Sequence, residues 1–199
     1  MQRKYNRHNI YLHNFSYFDG IFIFKILTNL VPSKSIQPLI RDGRIINLKV
    51  EFDVVNKKNT KKDKNIKYHI NFRDSYLLLT ASLSKLGKTF SSSDKKESQE
   101  KWFFPFHFVN EDHVGYNYVG NVPDIKYFEG MDDKTYQMYL EFTKNKNKSL
   151  TNWNLEKETI YYCEQDCRTL YFVLQKFGEE IFKQFNISIS KLFKNLKII

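Results

Sequence analysis

The chain has 199 residues, 41% of them apolar and 17% aromatic, which is enough for one packed core and excludes a wholly disordered tail. Lys and Arg number 32 against 22 Asp and Glu, a net charge of +10. That suits a polyanionic partner, nucleic acid first and an anionic membrane surface second, while no run approaches the roughly 20 apolar residues that span a bilayer.

Residues 10–14 read as a strand end and residues 15–30 as a helix, with Phe18, Ile21, Phe22, Phe24, Ile26 and Leu27 as its apolar positions. Asn14 and Ser16 both qualify as N-cap residues, because their side-chain oxygens can accept orphan amide protons of a first turn. Asp19 falls in the first turns, where the helix dipole favours a carboxylate. An acid among aromatics needs a partner or a metal; the plainer alternative is a capping Asp on an amphipathic helix. Val31-Pro32-Ser33 should stop the helix, since a residue before proline is pushed out of the helical region. Runs at 36–40 and 45–55 flank Asp42-Gly43, a hairpin signal. Residues 66–73 alternate again, so 36–72 is expected to be a three-stranded antiparallel meander interrupted by a solvated Lys/Asn loop at 57–65.

Ser82 is expected to cap a short helix, Leu83 to Phe90. Residues 91–100 read as a polar loop, 101–109 as an aromatic segment with a proline, and 115–123 as irregular. A helix is expected from Asp132 to Phe142 with Tyr136, Tyr139 and Leu140 on its apolar face, then a Lys/Asn loop over 145–154. The strongest helical pattern follows, capped by Asn154. Glu156 and Glu158 complement its start, and Ile160, Tyr161, Cys163, Cys167, Leu170, Val173 and Leu174 form a wide stripe. Gly178 is expected to end or kink it before a last helix, Glu179 to Leu196. No His or Cys cluster accompanies Cys163 and Cys167 to complete a zinc site, so they read as buried or half-buried free thiols in a reducing compartment.

Tyr162-Cys163-Glu164-Gln165-Asp166 places a tyrosine and an aspartate at i and i+4, on one helical face. Together with Asn14-x-x-x-Phe18-Asp19, this resembles the second and third motifs of the 3′–5′ proofreading exonuclease of family B DNA polymerases. The stretches 11–20, 72–79 and 162–167 resemble one branch, the protein-primed polymerases of mitochondrial linear plasmids and viruses. The resemblance runs from residue 10 to about 177. It implies an α/β, ribonuclease-H-like exonuclease domain with C-terminal helices, occupying residues 1–199. The family's first exonuclease motif, Asp-x-Glu on an opening strand, does not occur in this sequence, nor does the polymerase palm. The chain is therefore expected to be a fragment, truncated at the N-terminal strands of that domain.

Cutting a phosphodiester with two metal ions requires carboxylates that hold the ions roughly 3.5–4 Å apart. Magnesium takes hard oxygen ligands and keeps several waters. The resemblance implies Mg2+ or Mn2+ as cofactor, Asp19 and Asp166 as metal ligands, and Tyr162 as the group that orients the attacking water. Asn14 and Phe18 would contact the 3′-terminal nucleotide. Ser82 and Leu83 match a single-strand contact motif, with Asp74-Ser75 as an alternative placement. Lys101, at the head of Lys101-Trp102-Phe103-Phe104, matches a lysine that steadies the scissile phosphate; the alternative is a solvated cation beside a core cluster. Phe15, Tyr17, Trp102 and Phe103 are candidates for stacking bases, and His13 reads as a packing or hydrogen-bonding residue. The implied partners are a single-stranded DNA 3′ end and, for the parent polymerase, a terminal priming protein, in a mitochondrion or on a cytoplasmic plasmid or virus. No membrane partner and no import leader are expected. Short of carboxylates, this chain alone is expected to be nearly inactive, which leaves a catalytically inactive single-strand-binding remnant, or a basic interaction domain, as alternatives.

Overall fold

The computed structural model describes residues 3–54, 66–91 and 103–186. The chain divides into two compact units, residues 1–98 with 170–199, and residues 99–169.

In the first unit, β1 (His8–Leu12), β2 (Ile36–Arg41), β3 (Arg44–Val54) and β4 (Ile66–Asp74) form one mixed sheet in the order β1-β4-β3-β2. The meander is as expected: β2 pairs antiparallel with β3, and β3 with β4. Asp42 and Gly43 both take positive φ, 50° and 73°, as the tight type I′ hairpin turn requires. Period-two alternation buries Leu48 and Val50, because successive strand side chains point to opposite faces. Phe15 and Leu27 pack with Ile36, Leu48 and Val50 as the core of this unit, with Phe52, Ile70 and Phe72 against them. The sequence patterning did not show that β1 lies parallel to β4, in register from His8↔Ile70 to Leu12↔Asp74. Parallel neighbours need a long crossover, and here it contains a helix and the other two strands.

That helix, α1 (Asp19–Leu30), stops at Val31, extended immediately before Pro32 as expected. Its start differs from the expectation. Neither Asn14 nor Ser16 caps it; Phe18 precedes the first helical residue and makes no side-chain capping bond. Asn14 instead has φ 69°, and its carbonyl accepts from the amides of Tyr17 and Phe18, both at 3.2 Å. An extra turn thus separates β1 from α1. The short helix α2 (Leu83–Phe90) is capped as expected by Ser82, whose hydroxyl oxygen accepts from the Lys85 amide.

In the second unit, Asp132 caps α3 (Asp133–Asn147) by accepting from the Thr135 amide at 2.7 Å. The helix outruns the expected end at Phe142 and closes on Lys148 in the left-handed conformation. The expected loop up to residue 154 is corrected as well. Trp153 and Asn154 form a short strand, β6, antiparallel to β5 (Val119–Gly120). Trp153 is fully buried with Phe104, Phe108 and Leu155, and its indole N–H donates to the Tyr139 hydroxyl at 2.9 Å. Tertiary burial of one large aromatic outweighs the polar character of its neighbours.

The last helix, α4 (Leu155–Phe185), begins in this unit, its cap as expected: Asn154 Oδ1 accepts from the Lys157 amide at 2.9 Å. Glu156 and Glu158 lie in its first turn, as expected, and Glu158 is also buried, 2.9 Å from Lys146 Nζ. Gly178 does not end α4; it is a buried position inside it. A helical glycine costs only about 1 kcal/mol relative to alanine. The stop comes at Asn186, with φ 52°, a conformation asparagine tolerates after a helix end. Of the expected separate final helix, residues 179–185 continue α4, and 187–199 lie outside the described residues. Among the described residues no helix is long and apolar enough to cross a membrane.

Candidate nucleic-acid site

The loop between β1 and α1 is organised by a residue that the sequence reading did not single out for this purpose. Asp74 ends β4 opposite Leu12 and is 4% exposed. Its Oδ1 accepts from the amides of Asn14 (3.0 Å) and Tyr76 (2.8 Å), and its Oδ2 from the amide of Ser16 (2.8 Å). A carboxylate can be buried when it is satisfied in this way. Accepting from the second residue onward is the Asx-turn habit of aspartate, and Asp-Ser after a strand was the available signal. Capture of the Asn14 and Ser16 amides explains why these residues sit in a turn and not at a helix cap.

Ser75 is fully buried; its amide and its hydroxyl both donate to the Leu12 carbonyl, at 2.9 and 3.0 Å. Ser82, the other of the two alternatives, is exposed. His13 is a hydrogen-bonding residue, as expected: Nε2 donates to the Ala81 carbonyl at 2.8 Å, and Nδ1 lies 3.1 Å from Ser75 Oγ.

On this loop Asn14 is exposed, Phe18 is exposed, and Asp19 is half-buried as the first residue of α1. Phe15, a candidate base platform, is instead wholly inside the core. The Asp19 carboxyl is held above the ordinary aspartate pKa, first by burial and then by the like charge of Asp74. Gly20 follows under a strict steric demand. Its amide donates to the Phe15 carbonyl at 2.8 Å, and a Cβ there would stand 2.8 Å from that same oxygen. The chain can approach itself this closely only without a side chain.

The second candidate pair lies in the other unit. The Tyr162 hydroxyl is hydrogen-bonded to Asp166 one turn further along α4. Its ring packs against Phe104 and Phe106, centroids 5.3 and 5.7 Å away. Burial, then the Asp166 charge and hydrogen bond, push the phenol well above its usual pKa, so Tyr162 remains a protonated donor at neutral pH. Cys163 is exposed and Cys167 half-buried, so only the second fits the expected half-buried placement; burial raises both thiol pKa values. Ser82 is exposed and Leu83 half-buried. Phe103 is half-buried, and Lys101 and Trp102 lie outside the described residues.

Among the described residues no group of three or more His, Cys, Asp or Glu side chains could hold a metal ion. Three amides engage the oxygens of Asp74, and Asp166 bonds Tyr162. A two-ion centre needs more carboxylate oxygens than Asp19 and Asp166 supply, so the described residues alone do not fit one.

Residues 1–194 match the profile of the family described as DNA polymerase type B, organellar and viral. A probable DNA polymerase of Neurospora intermedia is 42% identical over 193 residues, covering 96% of this chain and 18% of the relative. One from Ascobolus immersus is 34% identical, over 91% of this chain and 14% of its own length. One from Agaricus bitorquis is 32% identical, over 94% and 20%. The chain thus spans a fifth or less of the length of these curated relatives. No solved structure matches it. With the family profile extending over nearly all of its residues, the chain belongs to the organellar and viral type B DNA polymerases.

Proposed function

We propose that this chain is the 3′–5′ exonuclease region of a DNA-directed DNA polymerase, and that the loop from Asn14 to Asp19 receives the 3′ end of a single DNA strand. The observation that carries this reading is the loop itself: Asp74 fixes its backbone, leaving Asn14 and Phe18 exposed beside Asp19. Asn14 offers an amide to hydrogen-bond the terminal nucleotide, and Phe18 an apolar ring to pack on it. Asp19 and Asp166 would be this chain's contribution toward Mg2+ or Mn2+, a centre that needs further carboxylates beyond the described residues. Tyr162, kept protonated, would orient a water molecule. Lys101 would steady the scissile phosphate, and Ser82 with Leu83 would line the strand's path. A mixed sheet joining a parallel pair to an antiparallel meander is compatible with a ribonuclease-H-like domain. The family assignment favours an organellar, plasmid or viral setting, with a terminal priming protein as partner of the parent polymerase.

A second reading, a catalytically inactive single-strand binder, is favoured by the shortage of metal-ligating groups among the described residues. Incubating the 199-residue chain with a labelled single strand and magnesium separates the two. Salt-sensitive binding without digestion supports the second reading for this chain; digestion abolished by Asp19→Ala or Asp166→Ala supports the first. Absence of binding at low salt would remove both.

A further inference from the structure

Tyr17 stands out of the Asp74-pinned loop, 53% exposed. Arg44, the first residue of β3, lays its guanidinium over that ring, with Cζ 3.9 Å from the centroid. Its Nη1 also donates to the Tyr17 hydroxyl at 2.6 Å. The Tyr17 ring meets Tyr76 edge-on at 6.1 Å, and Tyr76 meets His13 in the same manner at 5.5 Å. The backbones below are held by the hairpin pairing Arg41↔Arg44 and by the Tyr76 amide on Asp74. Asp42, the acid nearest to Arg44 in sequence, pairs with Arg41 instead.

An exposed cation–π contact contributes little to folding, but this one fixes the direction of a planar cation. A guanidinium carries five N–H donors in a fork that matches phosphate. The bond to Tyr17 uses one of them. Tyr17 is the residue before Phe18 and two before Asp19, so the fork and the strand-end residues share one loop.

We propose that Arg44 and Tyr17 form a phosphate-binding subsite for the single strand, internal to its 3′-terminal nucleotide. Arg44 forks onto a backbone phosphate, and Tyr17 orients the guanidinium and offers its exposed ring to the neighbouring base. The subsite rests on the reading of the Asn14–Asp19 loop as a strand-end site.

The test is fluorescence anisotropy of a 5′-labelled oligothymidylate with the full chain across a salt series. Arg44→Ala is expected to weaken binding about tenfold and to reduce the slope of log affinity on log salt by about 0.7, one single-strand phosphate. Arg44→Lys should keep the slope yet recover only part of the affinity, since an ammonium lacks the planar fork. Tyr17→Ala should weaken binding severalfold with the slope nearly intact, because no cation is removed. If Arg44→Ala alters affinity without altering the slope, Arg44 is a structural latch and the subsite is wrong. If Phe18→Ala weakens binding and Arg44→Ala changes nothing, the subsite fails while the strand-end reading survives. If the unaltered chain binds no oligonucleotide, both fail.

Discussion

Replacing Asp74 by alanine is expected to unfasten the loop that carries Asn14, Phe18 and Asp19. Three backbone amides lose a charged acceptor at 2.8–3.0 Å. A hydrogen bond to a charged group is worth about 1.5–3 kcal/mol, but bonds to one shared acceptor do not add. Because Asn14 is exposed, water can replace part of what is lost. The expected cost of Asp74→Ala is therefore about 3–5 kcal/mol, a large share of the ~5–15 kcal/mol that holds a domain together. Asp74→Asn keeps one acceptor oxygen but turns an NH2 toward an amide, and should cost about half as much. Urea denaturation followed by circular dichroism reads the total, with an unchanged m value indicating an unchanged unfolded state. Amide hydrogen exchange reads the site: Asn14, Ser16 and Tyr76 should lose protection first. In the same variants the Asp19 carboxyl should titrate closer to the ordinary aspartate range, though not fully, since burial is the larger cause of its shift. A cost below about 1 kcal/mol, with protection of those amides intact, would refute the claim that Asp74 builds the loop.

Asp19→Asn tests the same electrostatics from the other side. Its folded pKa is raised, so the contribution of Asp19 to stability is present below its unfolded pKa and is lost as pH rises through the folded value. The Asn variant should accordingly melt slightly above wild type at neutral pH, by a margin that closes as pH falls toward 3.8; the margin is small because the carboxyl is only half-buried and water screens it. A melting difference that does not change between neutral and acidic pH would contradict this. In the second unit, Lys146→Met should leave the buried Glu158 carboxylate without its partner 2.9 Å away and cost about 3 kcal/mol in urea melts. Adding Glu158→Met should restore most of that loss, and a double variant no more stable than the single one would count against the pair.

Capping and turn chemistry act within three or four residues, and they were legible in the sequence. Ser82 and Asn154 each cap the helix expected of them, and Asp42-Gly43 turns the expected hairpin. The motifs Asn14-x-x-x-Phe18-Asp19 and Tyr162-x-x-x-Asp166, in that order and with the matching stretches at 11–20, 72–79 and 162–167, likewise suggested the family. What the tertiary structure decided involves partners far apart along the chain. The parallel pairing of β1 with β4 brings Asp74 beside Leu12, and only then can its carboxylate take the Asn14 and Ser16 amides and hold both residues in a turn, away from a cap. Trp153 joins a core from within a polar stretch because Tyr139, Phe104 and Phe108 meet it there. Arg44 reaches Tyr17 because the hairpin and the loop lie in one unit. Local propensity has a signature of fixed spacing in the sequence; a carboxylate that satisfies amides some 60 positions away has none, and its free energy is realised only when the sheet has formed.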